Sequence, residues 1–285
     1  MTRITQGAVV VTGASTGIGA ACAIRLDQLG FQVFAGVRTN ADAQALQAKA
    51  SPKLTPIFLD VTDLDSITAA MQKVAIAVGN SGLIGLVNNA GIAVGAPLEF
   101  IPITEFRKQL EVNVTGQLAV TQAFLPLLRL AKGRIVNMGS ITGRSATPFL
   151  GAYSASKFAL EALTDALRLE LRPWGIWVAI IEPGAISTPI WQKSLSQADT
   201  LQQSLPQPAH ELYGQAMKTA SQGAATLAQK GISPDKVAQA VVRALTAKRP
   251  KTRYLVGQDA KLRAMLRFLP DRIVDDLTAK AMNLE

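Results

Sequence analysis

Six short apolar runs, separated by longer windows of helical periodicity, limit what this chain can fold into more than any other feature. They lie at 8–11, 33–37, 56–59, 83–87, 134–138 and 176–181. Each run is continuously hydrophobic and rich in β-branched residues, the pattern of strands covered on both faces in a parallel sheet. The windows 17–29, 41–50, 64–78, 105–130 and 153–172 read as helices. A seventh run, 253–256, follows a helix opened by Ser233 and Pro234, a good N-cap and first-turn pair. Strand-helix-strand alternation with right-handed crossovers implies an α/β fold: a Rossmann-type, doubly wound parallel sheet of about seven strands with helices on both faces. At 285 residues without repeat or low-complexity linker, one domain is expected.

Composition narrows the function classes. No apolar run nears the roughly 18 to 20 residues needed to cross a bilayer, and 176–181, the most apolar, is strand-length. Residues 1–7 are polar and leave no room for a signal peptide before the first strand. Cys22 is the single cysteine, so no internal disulfide forms, which fits a reducing cytoplasm. With His210 as the lone histidine, no metal site is expected. Net charge is +9, and residues 230–285 hold twelve Lys and Arg against six Asp and Glu. This basic balance suits a nucleic acid, an anionic lipid or a phosphorylated ligand, and the C-terminal excess reads first as a solvated basic tail. No nucleic-acid-binding motif accompanies it, and aromatic residues are sparse.

Between Pro189 and Ile232 the alternation breaks into a Gln-, Ser- and Ala-rich interval with Pro206 and Pro208 and only weak helical patterning. Long loops in compact domains are usually lids or binding segments, and this one leaves the C-terminal end of a strand, where open α/β sheets bind ligands. A substrate-covering lid is expected over 189–232.

The first strand runs into Thr12-Gly13-Ala14-Ser15-Thr16-Gly17-Ile18-Gly19 and then a helix. Glycines here let the backbone turn sharply against a diphosphate, and the helix start offers unpaired N–H groups and a positive dipole end. The sequence T-G-x-x-x-G-I-G resembles the cofactor loop of the short-chain dehydrogenase/reductase family. The family's other landmarks follow in order: Asn88-Asn89-Ala90-Gly91, Asn113, Gly139-Ser140, Tyr153-x-x-x-Lys157, and Pro183-Gly184 with Thr188. The resemblance spans about residues 7–257. It implies a nicotinamide dinucleotide held by Gly13, Ser15, Thr16, Gly17, Ile18, Gly19, Asn89, Ala90, Gly91, Pro183, Gly184, Ile186 and Thr188, with Asp60 and Val61 flanking the adenine.

The end of the second strand chooses the cofactor. An NAD enzyme needs a carboxylate there for the ribose hydroxyls. This chain has Val37 at that position and Arg38 next, and a guanidinium can pair with a 2′-phosphate and stack on adenine. NADP(H) is therefore expected, with NAD(H) the second choice because no basic residue stands within the glycine loop.

Tyr153 and Lys157 are four residues apart and share a helix face. Free tyrosine titrates near ~10, and a cation within ~4–6 Å favours the phenolate by about 1–3 pKa units. Lys157 is expected to supply that charge and to bind the nicotinamide ribose, while Tyr153 exchanges a proton with the substrate oxygen. Ser140 would hydrogen-bond the same oxygen. By resemblance, Asn113 holds a water linking Lys157 to solvent. The implied reaction interconverts an alcohol with a ketone or aldehyde.

Ile141, Arg144, Phe149, Leu150, Ile190 and Trp191 would wall the substrate, mostly apolar and so suited to a lipophilic one. Leu262, Leu266, Leu269, Ile273 and Leu277 recur at helical spacing in an extension over 259–285, which Pro270 should divide. Packing onto the body or a partner subunit is expected, with a peripheral membrane contact as the alternative. Relatives commonly form dimers or tetramers, and the apolar stretch 155–171 is compatible with a homo-oligomer. Two other functions compete: a non-catalytic dinucleotide-sensing protein, and a sugar-nucleotide epimerase or dehydratase. The first typically loses the tyrosine or lysine, and the second spaces its glycines differently and adds a larger C-terminal substrate domain.

Overall fold

The computed structural model describes residues 6–187, 200–201, 203–266, 268–282 and 284. Seven strands form one sheet: β1 (Ala8–Val11), β2 (Gln32–Val37), β3 (Leu54–Phe58), β4 (Gly85–Asn88), β5 (Arg134–Met138), β6 (Trp177–Pro183) and β7 (Arg253–Val256). All pairs are parallel, in the order β3-β2-β1-β4-β5-β6-β7. The order reverses between β1 and β4, and the crevice beyond their C-terminal ends is where such sheets take ligands. Val11 pairs with both Ala35 and Val87, which aligns the ends of β1, β2 and β4 around that crevice.

Successive side chains of β1 face opposite layers. Val9 and Val11 join a core with Cys22 and Leu26 of α1 (Gly17–Gln28) and Val237 and Val241 of α8 (Pro234–Thr246). Ala8 and Val10 join a second core with Val74 of α3 (Leu64–Val78) and Phe124 of α5 (Gly116–Ala131). Each such fully buried side chain contributes about 1.5–3 kcal/mol, so both faces of the sheet need their helices. Ser233 caps α8 by accepting from the Asp235 N–H, with Pro234 at the first helical position. Cys22 lies in the first core, and burial pushes its thiol up to about 12, a structural and unreactive group.

Several boundaries depart from the sequence reading. β3 starts two residues early at Leu54 and carries Pro56, tolerated because β3 is an edge strand. The ladder of β4 begins only at Gly85, since the Leu83 N–H donates to Leu127 O on α5 at 2.9 Å. The window 105–130 is two helices, α4 (Ile103–Leu110) and α5, joined by one π-helical turn at Glu111–Thr115. α2 spans Asn40–Gln47 and α6 spans Gly151–Glu170.

The interval 189–232 is not a loop throughout. Residues 188–199 and 202 lie outside the described ones, but Gln207–Lys230 forms α7, a 24-residue helix. Pro206 is its N-cap and Pro208 stands in its first turn, so the prolines that suggested irregular chain mark a helix start. α7 packs on the body through Ala209 and Met217, near Phe100, Phe149 and Tyr213. His210 is exposed on it.

The C-terminal extension splits at Pro270 as expected, into α9 (Gln258–Leu266) and α10 (Asp271–Met282). Its leucine periodicity does not mark the docked face. Leu262 is 66 % and Leu277 52 % exposed, while Ala260 and Ala264 are buried against Ile141 and Leu255. Alanines let α9 approach closely, and the larger residues point away from the body. No helix among the described residues is long and apolar enough to cross a membrane.

Candidate active site

The glycine turn after β1 is held open from behind by Thr12. Its hydroxyl oxygen accepts the N–H groups of Asn89 and Ala90, both at 2.9 Å, and tethers the end of β4 to the end of β1. The Asn89 side chain donates back to Thr12 O and Gly13 O, each at 3.0 Å. Gly13 has φ +61°, and a Cβ there would stand 2.8 Å from the Ala90 backbone. At Gly19 a Cβ would collide with Gly13 O and stand 2.5 Å from Asn89 Nδ2. The turn is therefore as tight as glycine permits. Thr16, the N-cap of α1, is exposed and makes no side-chain capping bond, so the first amides of the helix have no side-chain acceptor. Ser15, Gly17 and Ile18 are half-buried beside it. This uncapped, glycine-lined helix start fits the diphosphate of a dinucleotide.

Arg38 is exposed at the end of β2, and Asp60 follows β3 next to it. Partial burial pushes the Asp60 carboxyl up, but the Thr62 backbone and hydroxyl bonds and the Arg38 charge together hold it below its usual value. The Thr62 N–H and hydroxyl donate to Asp60 Oδ1 at 2.9 and 2.7 Å. Val61 is buried, and a Cβ on Gly116 would stand 2.5 Å from its carbonyl oxygen, so α5 presses on this loop.

Asn113 sits in the π-helical turn, fully buried. Its Oδ1 accepts the Ile92 N–H at 2.9 Å, and its Nδ2 donates to Ile92 O and to Ser156 Oγ, both at 3.0 Å. The widened turn points this amide at the loop after β4 and at α6 together, and such turns recur at functional sites. The resemblance placed a water-holding role here; the bonds present are to the chain itself, and they join Gly91-Ile92 to the active-site helix. Gln117, one turn on, donates to Ala90 O at 3.0 Å.

Ser140 ends β5 and caps the short turn Ile141–Gly143. Its Oγ accepts from the Thr142 N–H at 3.2 Å and the Thr142 hydroxyl at 2.9 Å. Its own hydroxyl is hydrogen-bonded with that of Tyr153. Lys157 is buried, donates to Met138 O at 2.7 Å, and holds its Nζ 5.6 Å from the centre of the Tyr153 ring. A Cβ on Gly143 would stand 2.9 Å from Lys157 O, so that glycine lets the Ser140 turn lie against α6.

The titration differs from expectation. Burial pushes the Tyr153 phenol above its usual value, and the Ser140 bond offsets this only in part. The same burial takes Lys157 down to about 8, although the nearby Glu161 carboxylate favours its charge. Burial is the larger cause of both shifts; the ammonium is bonded to a backbone carbonyl and lies over the ring.

The loop leaving β6 completes the site. The Gly184 N–H donates to Val256 O at 2.9 Å, the Ser187 N–H to Ile232 O at 3.0 Å, and the Ile232 N–H to Ala185 O at 3.1 Å. Pro183 and Ile186 are buried there. Thr188, Ile190 and Trp191, expected at the nicotinamide and the substrate, lie outside the described residues. Across the crevice, the Tyr213 hydroxyl of α7 donates to Glu99 Oε2 at 2.7 Å, and its ring meets Phe100 edge-on at 5.9 Å. No group of metal-ligating side chains occurs among the described residues.

Thr12, Gln117 and Ser156 carry roles that no motif reading assigned. A hydroxyl at a strand end beside the glycine turn was a usable signal for Thr12. For Gln117 and Ser156 nothing local in the sequence marks the partner.

The chain is similar to known proteins. The mouse (Mus musculus) protein retinol dehydrogenase 5 is 40 % identical over 275 residues, covering 94 % of this chain and 86 % of that one. The NADPH-dependent 3-dehydrocapnine reductase of Ornithobacterium rhinotracheale is 35 % identical and covers 95 % of each. A short chain dehydrogenase from Burkholderia cenocepacia, solved in complex with NADP, superposes with a TM-score of 0.74 at 26 % identity, covering 98 % of this chain and 99 % of that one. Residues 7–199 match the short chain dehydrogenase family. With its glycine turn, Ser140, Tyr153 and Lys157 brought to one crevice, the chain belongs to that family and is an oxidoreductase of alcohol and carbonyl groups.

Proposed function

We propose that the protein is an NADP(H)-dependent oxidoreductase that interconverts a lipophilic secondary or primary alcohol with its ketone or aldehyde. The observation that carries this reading is the Ser140–Tyr153–Lys157 cluster, with two hydroxyls hydrogen-bonded and an ammonium one turn away, beside a glycine turn that fits a diphosphate. When bound, the nicotinamide dinucleotide supplies or accepts the hydride.

The chain's own residues do the rest. Tyr153, whose phenol keeps its proton at neutral pH, donates it to the carbonyl oxygen during reduction and takes it back during oxidation. Ser140 donates to the same oxygen and stabilises the charge that builds there. Lys157 orients the ribose and favours the phenolate once Tyr153 has given up its proton. Asn113 fixes the Ile92 loop and, through Ser156, the first turns of α6, which keeps Tyr153 aimed at the crevice. The uncapped amides of α1, with Ser15, Thr16 and Gly17, take the diphosphate. Asn89, Ala90 and Gly91, and on the other side Gly184 and Ile186, border the nicotinamide half.

Arg38, with no carboxylate at Val37, supports NADP(H) over NAD(H). So do the NADP bound to the Burkholderia cenocepacia structure and the NADPH dependence of the 3-dehydrocapnine reductase. A lipophilic substrate is supported by the apolar Ile141, Phe149, Phe100 and Met217 around the crevice, and by a relative named for retinol. The test is to follow NADPH and NADH absorbance with retinal, steroid ketones, small polar aldehydes and keto acids. The reading expects turnover with NADPH on the lipophilic carbonyls, abolished in Tyr153→Phe. Turnover confined to small anionic carbonyls, or NADPH binding without turnover on any of them, would overturn it.

A further inference from the structure

α9 was expected to pack onto the body or a partner subunit, and it does more than pack: it bonds to both loops of the active site. Asp259, in its first turn, accepts the Ala185 N–H on Oδ2 at 2.7 Å. The carboxylate fits there because residue 184 is glycine: a Cβ at that position would collide with both Asp259 oxygens. Gly257, at φ +111°, turns the chain out of β7 so that Asp259 lands on this amide. One helical turn later, Arg263 reaches the opposite loop. Its Nη2 donates to Ser145 O at 2.9 Å and to Thr147 Oγ1 at 2.8 Å. That loop joins Ser140 to α6, and the Thr147 N–H donates to Ser154 Oγ, one residue past Tyr153, at 3.3 Å. Ala260 and Ala264 seat the helix on Ile141, directly after Ser140.

We propose that Asp259 and Arg263 are positioning residues, spaced one turn apart on α9, that set the distance between the loop bordering the nicotinamide (Pro183–Ser187) and the loop carrying the substrate side of the site (Arg144–Leu150). The clamp rests on the oxidoreductase reading above for its consequences in turnover, but not for its effect on cofactor binding. Asp259 meets a backbone N–H and Arg263 meets a carbonyl and a hydroxyl, so each charge takes its hydrogen bonds from the loop it ties. Arg144, which reaches Glu182 at 3.3 Å, ties the second loop to the end of β6, just before the first.

The experiment uses the full chain, with NADPH affinity read from tryptophan fluorescence and steady-state kinetics on a carbonyl that the wild type reduces. Asp259→Ala is expected to weaken NADPH binding by about tenfold, the loss of one charge-assisted hydrogen bond. Asp259→Asn, whose amide oxygen still accepts from Ala185, should recover most of that affinity. Arg263→Met should leave the NADPH Kd within about twofold and raise the carbonyl KM or lower kcat by about tenfold. If Asp259→Ala does not fold, Asp259→Ser, whose hydroxyl is too short to reach the Ala185 N–H, should give the same loss of affinity. Folded variants that keep wild-type NADPH Kd, KM and kcat, with only a lower Tm, would overturn the clamp and leave α9 a structural brace. A wild type that binds NADPH but reduces no carbonyl would overturn the oxidoreductase reading alone, since the Asp259 variants still decide the clamp through cofactor affinity.

Discussion

Lys157 stands one turn below Tyr153 on α6 with its ammonium 5.6 Å from the phenol ring centre, yet its hydrogen bond goes to Met138 O at the end of β5. The lysine is thereby moored to the sheet, and Tyr153 takes its polar contact from Ser140 instead. Helix, strand and turn thus meet at the Tyr153 side chain.

Removing that hydroxyl tests the chemistry directly. Tyr153→Phe should lower kcat by about 10²–10⁴-fold, the usual contribution of a positioned proton donor. NADPH affinity should stay close to wild type, because the glycine turn and Lys157 are untouched. A variant that retains more than a tenth of wild-type kcat would show that another group moves the proton.

Arg38 should set the cofactor preference. Arg38→Asp places a carboxylate at the end of β2 where ribose hydroxyls can use it and where a 2′-phosphate is repelled. The ratio of kcat/KM for NADPH over NADH should fall by about tenfold or more, the effect of about 1.4 kcal/mol. An unchanged ratio would place the phosphate elsewhere.

Gly19→Ala forces a Cβ onto Gly13 O and Asn89 Nδ2. The backbone of the turn cannot yield without losing the Asn89 and Thr12 bonds behind it. The expected result is loss of measurable NADPH binding and a Tm lowered by several degrees, read by thermal unfolding with and without cofactor. Gly79→Ala, in open space at φ +52°, is the control: backbone strain alone should lower Tm while cofactor affinity persists.

A buried acid cluster makes stability depend on pH. Burial and the Glu182 charge push Glu161 up to about 7, only partly offset by Arg253, whose Nη2 donates to Glu161 at 2.9 Å and to Asp165 at 2.8 Å. The folded state therefore holds a proton that the unfolded chain releases at lower pH. This favours folding fully below the ordinary glutamate range and is lost as pH rises through about 7. Tm should fall between pH 5.5 and 8, and Glu161→Gln should flatten that slope. A slope unaffected by the substitution would assign it to other groups.

The architecture was legible because burial on both faces of a parallel sheet writes itself into continuous apolar runs, and β1, β5 and β7 fall where those runs do. Tyr153, Lys157, Ser140 and the glycine turn were legible for a similar reason: their chemistry needs particular residue types at spacings set by one helix or one turn. The π-helical turn at Asn113 was not, since a single extra residue leaves the hydrophobic period of 105–130 almost unchanged. Nor was α7, whose stability comes from packing Ala209 and Met217 against distant aromatics, not from its own weak periodicity.

What the amino-acid order determined by itself was the local material: seven strands, their helices, and the reactive groups at strand ends. Only the tertiary structure decided which groups share a solvent-excluded space. It raised the Tyr153 phenol, lowered Lys157, and set Asp259 and Arg263 of the last helices on loops more than seventy residues away in the chain. Desolvation and long-range hydrogen bonds depend on distance in space, and no short stretch of sequence contains that distance.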